Sequence, residues 1–113
     1  MPHLTHVRRT RRRWALSQAE LAHLIGSTQS VVSRLEAGSV VPDLALAFRL
    51  QAVFGSSPRA LFPELYGRAE EIAMANGAVL DAKLGSRTDY AAGQQRRLLA
   101  SMVHRASPNN REA

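Results

Sequence analysis

The chain has 113 residues, enough for one compact domain with an appendage but not for two full domains. Hydrophobic residues make up 45%, no apolar run nears the length of a bilayer span, and the absence of cysteine excludes disulfides and thiolate metal sites. The net charge of +6 is concentrated: residues 1–63 carry eight Arg against three acids, residues 64–113 seven basic side chains against six acids, and five arginines crowd into Arg8–Arg13.

The first expected helix runs from about Leu4 to Trp14. The next has the sharpest start in the chain. Ser17 at the N-cap and Glu20 three residues on make a capping box, and Leu16 and Leu21 are spaced as a hydrophobic staple. Leu21, Ala22 and Ile25 form its inner stripe, and Gly26 ends it. Thr28 caps a third helix that stops at Gly38. Pro42-Asp43 opens a fourth, with Leu44, Ala47, Phe48 and Phe54 expected on its inner side and Gly55 closing it. Ser57-Pro58 starts a short fifth helix ending near Phe62.

Beyond Pro63 a longer helix is expected from Glu64 to about Leu84, weakened at Asn76-Gly77. Gly85-Ser86 breaks it, and Thr88 is the expected cap of a last helix through Tyr90, Leu98, Leu99, Met102 and Val103. Ser107–Ala113 reads as a frayed tail. No segment alternates with period two, so the expected fold is all-α: a five-helix domain over 1–63, a two-helix extension over 64–105 and a flexible tail over 106–113.

The third helix separates its faces cleanly. At about 100° per residue, Gln29, Ser30, Ser33 and Arg34 fall on one side and Val31, Val32 and Leu35 on the other. An amide, two hydroxyls and a guanidinium suit the edges of bases in a DNA major groove. The outer face carries no acid, and the arginine cluster lies close by in sequence, which favours a polyanionic partner. Fourteen Arg against one Lys also fits a plain preference for arginine, so charge alone carries little weight.

LSQAELAHLIGSTQSVVSRLEAG, followed by VVPDLALAFRLQAVFGSSPRALF, resembles the Cro/repressor family of helix-turn-helix proteins, Xre-type and lambda-repressor-like, over about residues 4–62. The resemblance implies double-stranded DNA as partner, with Gln29, Ser30 and Arg34 at base-reading positions. Gln18 stands where the family contacts a phosphate and braces the recognition helix, and Ser33, Arg11 and Arg12 are further expected backbone contacts. Arg11 and Glu36 match a structural ion pair joining the first helix to the end of the third. Several residues depart from the family pattern. Ala15 stands where glycine is common, Thr10 at a usually leucine core position, and Gln51 where a small apolar residue is usual. The loop Ser39-Val40-Val41 lacks basic residues, and Trp14 and Leu24 are large apolar residues at usually exposed positions, one or both of them expected to be covered by the C-terminal helices.

Other chemistry is weaker. His3 and His6 have metal-compatible spacing without a third ligand, and an unstructured terminal pair is expected instead. His23 falls on the outer side of the second helix, where DNA-flank or solvent exposure is expected, His104 is isolated, and Glu70-Glu71 reads as a solvated face. No phosphate loop or nucleophilic triad can be named, and the residues after Pro63 are too few for the self-cleaving domain of some repressors. No enzyme activity, metal or cofactor is expected, and the N-terminus is not a secretory signal, which points to a cytoplasmic protein without membrane contact. Leu65, Ile72, Val79, Leu98 and Met102 are the candidate dimer or partner interface. Three roles compete: a dimeric repressor on a palindromic operator, an antitoxin that binds a toxin and autoregulates its operon, and a bridging co-activator with little sequence-specific DNA binding.

Overall fold

The computed structural model describes residues 1–107, and the expected tail beyond Ser107 lies outside the described residues. Seven helices and no strand occur among them: α1 (Val7–Arg13), α2 (Gln18–Leu24), α3 (Gln29–Ala37), α4 (Leu44–Phe54), α5 (Pro58–Leu61), α6 (Pro63–Leu84) and α7 (Tyr90–Ala106). The chain forms two compact units, Met1–Tyr66 and Gly67–Ala113.

Local chemistry starts and stops most of the helices in the first unit. Ser17 accepts from the Glu20 backbone N–H while the Glu20 carboxylate accepts from the Ser17 N–H, a complete capping box. Thr28, Asp43 and Ser57 cap α3, α4 and α5 in the same way through one oxygen each. Helix α2 ends in a Schellman turn, with Ser27 N–H on Ala22 O and Gly26 N–H on His23 O. Helix α1 ends in the same motif, with Leu16 N–H on Arg11 O and Ala15 N–H on Arg12 O. The left-handed position there is Ala15, at φ 59°, so an alanine carries the strain that glycine would avoid.

Val7, Leu21, Ala22, Ile25, Val32, Leu35, Leu46, Leu50, Leu61 and Phe62 form the core. On α4 the expected phase is wrong in part. Leu44 and Phe48 are exposed, and Leu46, Ala47 and Leu50 point inward. Apolar residues sit all round this helix, so sequence spacing offers two faces and packing chooses one. Thr10 is half-buried with its hydroxyl donating to His6 O, and Gln51 is exposed, so neither polar departure leaves an unpaired group in the core. Trp14 and Leu24 are both exposed, at 61% and 52%.

The first helix begins at Val7, because residues 1–6 form a tied-down arm instead. His3 N–H donates to Gly38 O, Leu4 N–H to a Glu64 carboxylate oxygen and His6 N–H to Leu61 O. His3 is buried against Phe62, which corrects the expectation of an unstructured histidine pair. Gly38 is required twice over: its φ is 72°, and a Cβ there would collide with the His3 backbone carbonyl.

In the second unit α6 runs unbroken through Asn76-Gly77. Gly77 marks a close approach, since a Cβ there would lie 3.2 Å from a Leu99 methyl and 3.3 Å from Met102 Cε. The cap of α7 is Asp89, not Thr88. Its carboxylate is also gripped by the Arg87 guanidinium through two 2.9 Å bonds, which holds its pKa down at about 2. Arg96 donates to Arg87 O and Gly85 O, closing the turn between the two helices.

Candidate nucleic-acid interface

Helices α2 and α3 are joined by the short Gly26–Thr28 turn, and Arg49 of α4 steadies it by donating to Ile25 O at 2.7 Å. Val32 and Leu35 are fully buried and Val31 half-buried, so α3 is held by its apolar face. Gln29, Ser30, Ser33 and Arg34 are all exposed on the other side. Arg34 Nη2 donates to Ser30 Oγ at 2.9 Å, so two of these groups are already paired one helical turn apart.

Behind this face lies a buried ion pair. Arg11 Nε donates to Glu36 Oε2 at 2.5 Å and Nη2 to Oε1 at 3.0 Å, while Nη1 donates to Leu16 O at 2.8 Å. Side-chain exposure is 10% for Arg11 and 4% for Glu36. Burial opposes the charge on Glu36, but hydrogen bonds from Arg11 and Gln18, with the nearby charges of Arg11 and Arg8, outweigh it and hold its pKa below the ordinary carboxylate value. The Glu36 hydrogen bond likewise raises Arg11 against the effect of burial.

Each of the three nitrogens of Arg11 donates a hydrogen bond inside the domain and its side chain is 10% exposed, an arrangement that fits the expected ion pair better than the expected DNA backbone contact. Arg12 is exposed on the same helix, as are Arg8, Arg9 and Arg13.

Gln18 is also more deeply involved than its sequence position suggests. Its Nε2 donates to Glu36 Oε1 at 3.1 Å, and its Oε1 accepts from Gln29 Nε2 at 3.5 Å. A continuous chain thus runs from Arg11 through Glu36 and Gln18 to Gln29. No local pattern signals the Gln18–Gln29 contact, because the two residues begin separate helices; only the family resemblance implied that Gln18 braces the recognition helix. Ser30 and Arg34, four residues apart on one helix, were legible as neighbours.

Residues 8–61 match the helix-turn-helix family. These 54 residues, just under half of the chain, are similar to the Xre, lambda-repressor-like type. The family is one of DNA-binding transcription regulators, and its domain is not typically enzymatic. Neither the curated proteins nor the solved structures give a match.

The five expected interface residues differ in burial. Leu65 packs against the core of the helix-turn-helix unit, and Met102 is half-buried where α7 passes Gly77. Ile72, Val79 and Leu98 are exposed, at 63%, 56% and 54%. No group of three or more metal-ligating side chains occurs among the described residues, and no helix there is long and apolar enough to cross a membrane.

Proposed function

We propose that the protein is a sequence-specific transcriptional repressor that binds a palindromic operator as a homodimer. The observation that carries this reading is the outward face of α3. It presents Gln29, Ser30 and Arg34 for base edges, with Ser33 beside them for a phosphate, on a helix whose other face is locked into the core. Arg12 and the remaining N–H of the Gln18 amide serve as backbone contacts. Phosphate contacts set orientation and overall affinity, and the α3 side chains discriminate.

One recognition helix gives modest affinity, and two half-sites about one helical turn apart overcome that limit. Ile72 and Val79 lie seven residues apart on one stripe of α6, both exposed, in a region of near-neutral charge, which supports a protein interface there. The same stripe favours a second reading, an antitoxin that holds its toxin through α6 and α7.

The test is selection of bound duplexes from a random pool at near-physiological salt, because the arginines hold any DNA at low ionic strength. A two-fold symmetric motif is expected, together with a dimer mass in solution. A motif with a monomer that dimerises only beside a second protein favours the antitoxin. No enriched motif overturns the repressor and leaves a bridging role through protein contacts.

A further inference from the structure

We propose that the groove between α6 and α7 binds a small organic amine, an apolar body carrying one ammonium group that pairs with the Asp81 carboxylate. The site lies wholly within the second unit and does not depend on the DNA-binding reading.

Side-chain size makes the groove. The two helices approach closely at Gly77, where a Cβ would lie 3.2 Å from a Leu99 methyl. Beside that approach the short side chains of Ala78 and Ala100 leave a hollow of about 410 Å³, bounded by the bulkier Met74, Met102 and Val103. Small-molecule sites span roughly 300–1,000 Å³, so the hollow is large enough for one. Methionine is unbranched and polarisable. Met74 and Met102 therefore adapt to apolar bodies of different outline, and the groove suits a class of ligand rather than one molecule.

The charge at the groove is a carboxylate that the fold leaves unused. Asp81 makes no hydrogen bond or ion pair among the described residues. Glu20, Glu36, Asp43, Glu64 and Asp89, by contrast, each hold a backbone N–H or a guanidinium. Arg96 also lines the groove, but its Nη1 and Nη2 donate to Arg87 O and Gly85 O, so its head is held at the turn. The groove thus offers apolar walls and one open acceptor, which match a cation on an apolar body. An anionic ligand would meet Asp81 as a like charge. Closure by the apolar face of a second copy would strip water from Asp81 and leave it unpaired. Ile72 and Val79 lie about 150° round α6 from Met74, so a dimer formed on that stripe leaves the groove open.

The test is calorimetric titration of the 113-residue chain with 4-phenylbutylamine, 4-phenylbutanol and 4-phenylbutanoate, which share one apolar body and differ in the charge at its end. The amine should saturate one site per chain. The alcohol should bind about tenfold more weakly, the size of one charge-assisted hydrogen bond, and the acid more weakly still. An amine that does not saturate, or binds no better than the alcohol, overturns the site. Asp81→Asn removes the charge at an exposed position without a partner to lose, so amine and alcohol should then bind alike. An amine preference that survives Asp81→Asn puts the binding elsewhere and overturns the proposal. Ala100→Phe fills the groove from an exposed position on α7. With helical circular dichroism unchanged, it should abolish amine binding and leave the mass in solution as in wild type. Retained amine binding overturns the site. A dimer that turns monomeric with Ala100→Phe shows a second copy in the groove and overturns it too. Should Ala100→Phe unfold, the amine-to-alcohol ratio in wild type and Asp81→Asn decides alone.

Discussion

Arg11→Met asks how much the buried ion pair contributes to the helix-turn-helix unit. The substitution keeps most of the side-chain volume and leaves the Glu36 carboxylate, 4% exposed, with the Gln18 N–H as its remaining hydrogen bond from these partners. Stranding one member of a buried pair costs about 3–5 kcal/mol. Leu16 O also loses the Arg11 donor. At roughly 0.05–0.15 kcal/mol per residue, the Met1–Tyr66 unit has about 3–10 kcal/mol of stability in all. The single variant should therefore be at or near unfolding, while Arg11→Met with Glu36→Met should stay within about 1–2 kcal/mol of wild type.

The sign of the pH dependence adds a second check. In wild type the Glu36 pKa is lowered, so its stabilising contribution is present above the ordinary carboxylate value and lost as pH falls through the lower folded value. In Arg11→Met the unpaired carboxylate has a raised folded pKa, so the penalty is full at neutral pH and shrinks on acidification. Urea unfolding followed by helical circular dichroism at neutral and mildly acidic pH measures both effects. Trp14 is a poor fluorescence reporter because it is 61% exposed. A loss below about 1 kcal/mol at neutral pH, no more than one ordinary hydrogen bond, would refute the reasoning. So would a gap between variant and wild type that does not narrow in acid.

Ala15→Gly should stabilise the protein by up to about 1 kcal/mol, because relief of left-handed strain exceeds the added entropy of the unfolded chain; a lower urea midpoint would show that Ala15 is not strained. Gly38→Ala should cost about 2 kcal/mol or more in thermal melts, and removing residues 1–5 should return only the part due to collision with His3. Arg34→Ala should cost about 1–3 kcal/mol at one base pair and relax preference there. Arg12→Ala should instead weaken every duplex and reduce the salt slope of binding by about one. Competition assays across a salt series separate the two, and a uniform loss with Arg34→Ala would make Arg34 a phosphate contact.

The sequence by itself determined the boundaries of α2 to α5 and the two faces of α3. Ser17 with Glu20, Thr28, Asp43 and Ser57 act on N–H groups within three residues, and Gly26, Gly38 and Gly55 end helices through bonds to the last turn, so each signal is local. Where the local signal was ambiguous, tertiary packing decided. Helix α4 is apolar on every side, and only its neighbours sent Leu46 and Leu50 inward and left Leu44 and Phe48 outside. Gly77 reads as a helix breaker until α7 lies against it, and His3 reads as a loose end until Gly38 makes room for its backbone. The chain from Arg11 to Gln29 is the clearest case. Its four residues come from three helices, and a hydrogen bond acts over about 3 Å in space, whatever the separation in sequence. Periodicity could therefore place Gln29 on the outer face, and only the folded domain brought its amide within reach of Gln18.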